Sequence, residues 1–240
     1  MRINALYEAY EQGDIKLSPE LDELGRAEPN HAVANKEMGG NLYYVDRDAN
    51  ALLDTFSRVE GRALYTSITE RTADSDAAIL DYGAGTGNQI VSLLEDVPHP
   101  DGANMDRLTI DAVNDVKCDH LSARWRTRLA DALGIVNYEA SPLSELALPA
   151  DSYDMVLAFD AFAGAKGTPE EVAKVYRALK QGGAFYLNLS GARPDLQQAI
   201  AGLQNSHHAQ LESYAHTYTP RRWVDGNGIP TSYKITKPAA

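Results

Sequence analysis

Cysteine is almost absent from this 240-residue chain: Cys118 stands alone, which excludes an internal disulfide and a cysteine-based metal centre. Positive charge is scarce as well. Lysine and arginine number 22 against 34 aspartates and glutamates, a net charge of −12. Such a balance argues against a nucleic-acid partner, because neutralising phosphates needs a basic stripe. The densest basic stretch, ARWRTR at 123–128, has helical spacing and reads as a solvated face. No apolar run reaches membrane-spanning length and no signal-peptide pattern follows Met1, so the expected setting is cytoplasmic, without a membrane. Internal repeats and low-complexity tracts are missing too. The composition, 44% hydrophobic and 23% charged, is that of a globular protein long enough for one large domain or a domain with a cap.

The hydrophobic period divides the chain. Residues 1–75 read as helical, with Ile3, Leu6, Tyr7 and Tyr10 on one face of a short helix. A longer helical pattern runs from Val45 to Ile68, with Gly61 as a break, and a loop-rich segment carrying Pro29, Gly39 and Gly40 lies between the two. From residue 77 the pattern shortens. AAILDYG, RLTIDAVN, VNYEA, YDMVLAFD and GGAFYLNLS read as strands, separated by helical patterns at 86–96, 119–133 and 169–180. That alternation marks βαβ units and a parallel sheet. After a further helix at 194–204, AQLESYAHTYT and TSYKITK flank DGNGIP and read as a hairpin, so the sheet is expected to end antiparallel with seven strands.

The informative loop is AILDYGAGTGNQ, where Gly83, Gly85 and Gly87 alternate at the end of the first strand. A phosphate-binding P-loop would need a lysine and a paired hydroxyl after the glycines, and neither is there. A dinucleotide loop would need its last glycine one place later, where Asn88 stands. Asp81, two residues before the first glycine, would repel a pyrophosphate but suits a ligand that carries an ammonium group and a sulfonium.

LDYGAGTG resembles motif I of the class I S-adenosylmethionine-dependent methyltransferases, an acid, any residue, then G-x-G-x-G. The resemblance covers about residues 77–237, including ADSYDMVLAFDAF as a fourth strand and VYRALKQGGAFYLNLS as a helix, turn and fifth strand. It implies a Rossmann-like α/β fold, a seven-stranded and mostly parallel sheet with a terminal antiparallel hairpin and helices on both faces. An N-terminal helical cap over 1–75 would precede a cofactor-binding domain over 76–240. S-adenosyl-L-methionine is the implied cofactor. Asp81 would face its methionine amino group, and Gly83, Ala84, Gly85 and Gly87 would let the backbone lie against methionine and ribose.

Two other contacts depart from the family's pattern. The ribose normally meets an acid at the end of the second strand, since a carboxylate can accept from both hydroxyls. Here either Asn114 or Asp115 occupies that place, after an insertion at 98–106, while Asp111 is expected to cap or face solvent. The adenine contact after the third strand falls on Ala140 and Ser141, a hydroxyl or carbonyl in place of a carboxylate. In the loop after the fourth strand, Phe159 and Asp160 lie beside the implied methionine, with Phe162 either near it or in the core.

The catalytic candidates are Asp160 as a base, Tyr43 and Tyr44 as aromatic lid residues beside a sulfonium, and His31 if its segment folds over the pocket. Arg62 could meet a carboxylate of cofactor or substrate. His207 and His208 have no metal-ligand spacing with any acid, and no metal is expected. The reading is a methyltransferase acting on a small molecule through O, N or C, with a homodimer left open. Two alternatives stay beside it. One is a methyltransferase-like enzyme that uses the sulfonium for cyclisation or aminocarboxypropyl transfer; the other is a non-catalytic binding partner with the same fold.

Overall fold

The computed structural model of the chain describes residues 56–84, 107–114, 136–140, 143–158, 161–162, 167–189, 193–215 and 231–239. Within them the strands are β1 (Ala77–Tyr82), β2 (Leu108–Asn114), β3 (Val136–Ala140), β4 (Tyr153–Ala158), β5 (Leu179–Leu189), β6 (Gln210–Ala215) and β7 (Thr231–Thr236). They form one sheet in the order β3-β2-β1-β4-β5-β7-β6. The first five are mutually parallel, and β7 runs antiparallel to both β5 and β6. β1 and β4 are short, nearly continuous apolar runs because parallel strands are covered on both faces.

Side-chain alternation sorts the core into two layers. Leu80, Tyr82, Val156, Ala158, Phe185 and Leu187 pack with two helices on one face. These are α2 (Pro169–Ala178), which buries Val172, Val175 and Tyr176, and α3 (Pro194–His207), which buries Leu196, Ile200 and Leu203. α2 starts where its sequence says it should. Thr168 accepts a hydrogen bond from the Glu171 amide at 3.2 Å, Pro169 opens the first turn, and Glu170 and Glu171 complement the helix dipole. α3 ends at His208, whose φ of 55° is the left-handed cap conformation. His207 and His208 are both exposed there.

The opposite face carries Ile79, Asp81, Met155, Leu157 and Tyr186, in register across β1, β4 and β5. It is covered by α1 (Leu64–Asp74) and by the helical turn at 56–60 that precedes it. Gly61 is the break between them. Its φ is 74°, its amide donates to Arg58 O (3.2 Å), and the Arg62 amide donates to Ser57 O (3.0 Å), the bond pattern of a Schellman cap.

Glu60 fastens this turn to the sheet. Its carboxylate accepts from the Tyr186 hydroxyl (2.5 Å), Lys234 Nζ (2.7 Å), Ser67 Oγ (3.0 Å) and Arg62 Nε (3.1 Å). Tyr186 and Lys234 are cross-strand partners on β5 and β7, so one carboxylate ties the N-terminal turn to both. Burial alone would push the Glu60 carboxyl up, but the bonds from Lys234 and Tyr186 and the Lys234 charge hold it down at about 2.

Candidate functional site

The strand order reverses at β1, which has β2 on one side and β4 on the other. Open α/β sheets bind ligands in the crevice at the carboxyl ends of strands at such a switch point. The start of the glycine loop lies there. The Gly83 and Ala84 amides both donate to Val113 O, at 2.9 and 2.8 Å, so the chain leaving β1 turns across the end of β2. Gly83 has φ 80°, and a Cβ at this position would lie 2.8 Å from the Ala161 Cβ in the loop after β4. Both its conformation and this close approach require glycine.

Asp81 sits beneath that turn, level with Ala112 of β2 and Leu157 of β4. It has no exposed surface, and among the described residues neither carboxylate oxygen has a hydrogen-bond partner. Burial pushes its carboxyl up from 3.8 to about 8. A buried carboxyl without a partner is costly, and buried polar groups in folded proteins nearly always have one. The arrangement therefore matches a ligand that brings its own donor, and a cationic one would return the carboxyl to its ionised state.

Asp81, Gly83, Ala84, Asn114 and Ala140 come to one edge of the sheet: Asn114 and Ala140 are paired residues at the carboxyl ends of β2 and β3. The other candidates, Gly85, Gly87, Asp115, Ser141, Phe159, Asp160, His31, Tyr43 and Tyr44, lie outside the described residues.

Three neighbouring residues have their own roles. Phe162 is fully buried, stacked on Tyr82 at 5.8 Å and edge-on to Phe185 at 6.1 Å, which makes it core. Arg62 is engaged by Glu70 (2.6 Å) and Glu60 (3.1 Å). Asp111 does not merely cap or face solvent, because it accepts from the Tyr153 hydroxyl at 2.7 Å.

One group beside the site was not singled out from the sequence. Tyr82, between Asp81 and Gly83, is buried and donates to Glu171 Oε1 at 2.9 Å, with Leu143 O a second acceptor at 3.2 Å. Lys174 Nζ also donates to Leu143 O and lies 5.8 Å from the Tyr82 ring centre. The available signal was weak: a glutamate at the third position of a Thr-capped helix ordinarily reaches back to the cap.

A family model described as a methyltransferase domain matches residues 80–187, from the end of β1 through β5. No curated protein matches the sequence significantly. Among solved structures, the DszA carbon methyltransferase superposes with a TM-score of 0.53 at 15% identity, over 79% of this chain and 55% of that one. A putative S-adenosylmethionine-dependent methyltransferase from Listeria monocytogenes gives 0.51 at 14% identity, over 72% and 95%. Haemonchus contortus phosphoethanolamine N-methyltransferase 2, in complex with phosphomonomethylethanolamine and S-adenosylhomocysteine, gives 0.49 at 15% identity, over 79% and 57%. The chain thus spans little more than half the length of the first and third of these, and at such identities the likeness is one of fold.

Proposed function

We propose that this chain, whose residues 80–187 match a methyltransferase domain model, is a class I S-adenosylmethionine-dependent methyltransferase that transfers the cofactor's methyl group to a small-molecule acceptor. The observation that carries this reading is Asp81, a buried carboxyl beneath the Gly83 turn with no partner among the described residues. S-adenosyl-L-methionine offers an ammonium group for that carboxyl and no phosphate to repel it, whereas a dinucleotide offers the reverse.

The residues present fit this cofactor. Asp81 holds the amino group, directly or through water, and releases its proton as the cation arrives. Gly83 and Ala84, continued by Gly85 and Gly87, let the backbone lie against methionine and ribose. Asn114 or Asp115 receives the ribose hydroxyls, and Ala140 with Ser141 meets the adenine. When bound, the cofactor supplies a methyl group on a sulfonium, already activated for in-line displacement. The chain's task is then to orient the acceptor and exclude water.

For an acceptor that arrives protonated, Asp160 is the proposed base, with Phe159 beside the methionine. Tyr43 and Tyr44 are proposed to close over the sulfonium from the 1–75 segment, with His31 on the same segment. The net charge of −12 supports a small molecule over a nucleic acid as acceptor. Incubation with S-adenosyl-L-methionine and an acceptor library tests the reaction: S-adenosylhomocysteine as product supports methyl transfer, and methylthioadenosine would replace it with attack on the methionine chain. Thermal melts with S-adenosylhomocysteine and with NAD test the cofactor, and a shift with NAD alone would overturn it.

A further inference from the structure

We propose that Asn188, backed by Ser232, selects the methyl acceptor, and that the group it selects is uncharged: a hydroxyl, an amide or a carbonyl. The proposal rests on the methyl-transfer reading above and names the substrate class for it. In that reading the cofactor takes the β1, β2 and β3 half of the sheet's carboxyl edge. The acceptor then approaches from the other half, over β4, β5 and β7.

Strand register puts Asn188 there. Asp81 pairs with Leu157 and Leu157 with Tyr186, so these three share one row and one face. Asn188 is the next residue of β5 on that face, one row nearer the carboxyl edge and two strands from β1, about 10 Å across the sheet. Ser232 of β7 is its cross-strand partner. The last seven residues of β5 are all buried, and Asn188 is the one carboxamide among them. Leucine would serve packing alone, because a buried amide is costly unless it is hydrogen-bonded. Asn188 and Ser232 are 1% and 0% exposed, as closed to water as Asp81. A hydrogen bond made there meets little competition from solvent. The carboxamide has two donors and a carbonyl with two lone pairs, enough to be held by the protein and still meet a ligand.

The charges nearby set the class. The row below carries Lys234, paired with Glu60 at 2.7 Å, so neither is left over for an ion that the acceptor brings. Arg58 reaches the Asn188 row only at its far end, where it is exposed and donates to the Tyr214 hydroxyl at 2.9 Å. An ammonium or carboxylate beside Asn188 would be buried without a counter-ion among the described residues, and a neutral group avoids that cost.

A library of small acceptors, each with one kind of polar group, tests the class through S-adenosylhomocysteine release from S-adenosyl-L-methionine. Wild-type turnover is expected with neutral hydroxyl, amide or carbonyl compounds. A wild-type preference for amines charged at neutral pH, or for carboxylates, overturns the proposal. On the best wild-type acceptor, Asn188→Leu is expected to lower kcat/KM by about tenfold or more, with S-adenosylhomocysteine affinity unchanged. Asn188→Asp should shift preference towards amines by about tenfold, a change that a merely structural asparagine would not produce. Ser232→Ala should lower kcat/KM by about threefold, and it carries the test if the Asn188 variants do not fold. Unchanged kcat/KM in the folded variants, or equal loss of acceptor and cofactor, overturns the role of Asn188 and leaves the methyl-transfer reading intact. A library that yields no S-adenosylhomocysteine overturns that reading, and this proposal with it.

Discussion

Replacing Asp81 by asparagine removes a buried group that ionises readily only in the unfolded chain. The folded carboxyl keeps its proton up to about pH 8, whereas in the unfolded chain it ionises near its ordinary value of 3.8. Between those values unfolding releases a proton, so the stability contribution is complete below pH 3.8 and is lost as pH rises towards 8. Each pH unit in that window costs about 1.4 kcal/mol, and the whole window about 6 kcal/mol. This is an upper bound, because a local opening beneath the Gly83 turn would hydrate the carboxylate at lower cost. Urea unfolding at pH 5.5, 6.5 and 7.5 reads the slope directly. Wild-type stability should fall by up to about 3 kcal/mol over those two units relative to Asp81→Asn, which is nearly isosteric and carries no proton to lose. Saturating S-adenosylhomocysteine should flatten the wild-type profile, since its ammonium compensates the ionised carboxylate. Parallel profiles for the two apo proteins would refute the reasoning.

Gly83→Ala should destabilise the protein by about 1–3 kcal/mol in thermal or urea unfolding, because φ 80° strains an L residue and the new methyl would meet Ala161. It should also weaken cofactor binding. Glu60→Gln should cost stability at neutral pH and flatten the acid limb: a folded value of about 2 against 4.5 gives stability present above pH 4.5 and lost towards pH 2, worth about 3 kcal/mol. Acid titration followed by circular dichroism checks the sign. Asn114→Ala and Asp115→Ala, measured side by side, should differ in cofactor affinity, because a chain continuing extended from β2 would turn the two side chains to opposite faces. Replacing Tyr43 and Tyr44 together by alanine should reduce turnover far more than cofactor affinity, and equal losses in both would make that segment part of the cofactor site.

The mostly parallel sheet and its antiparallel end were legible because they rest on local signals. Short apolar runs sit between helical patterns, and DGNGIP lies between two strand-like segments. The β4 expectation of 153–160 met a strand at Tyr153–Ala158, and Gly61 ended a helical turn where a break was read. The position of Asp81 and Gly83 at the switch point was legible for the same reason. The Asp81 environment was not, because the absence of a partner is a property of everything packed around the residue. The bonds that join distant segments were equally hidden. Tyr82 and Glu171 are 89 residues apart, Glu60 and Tyr186 are 126 apart, and no local period records such a meeting. Asp111 was misread for that reason: its partner, Tyr153, lies 42 residues further on.

The central claim is that Asp81 receives the ammonium group of a sulfonium cofactor beneath the Gly83 turn. Calorimetric titration with S-adenosylhomocysteine at pH 7, in buffers of different ionisation enthalpy, measures both the affinity and the protons exchanged. With the free carboxyl at about 8, the account predicts binding with release of about 0.9 proton per site in the wild-type protein, and weaker binding with no such release in Asp81→Asn. Equal affinity and equal proton exchange in the two proteins, or binding of NAD in place of S-adenosylhomocysteine, would contradict it.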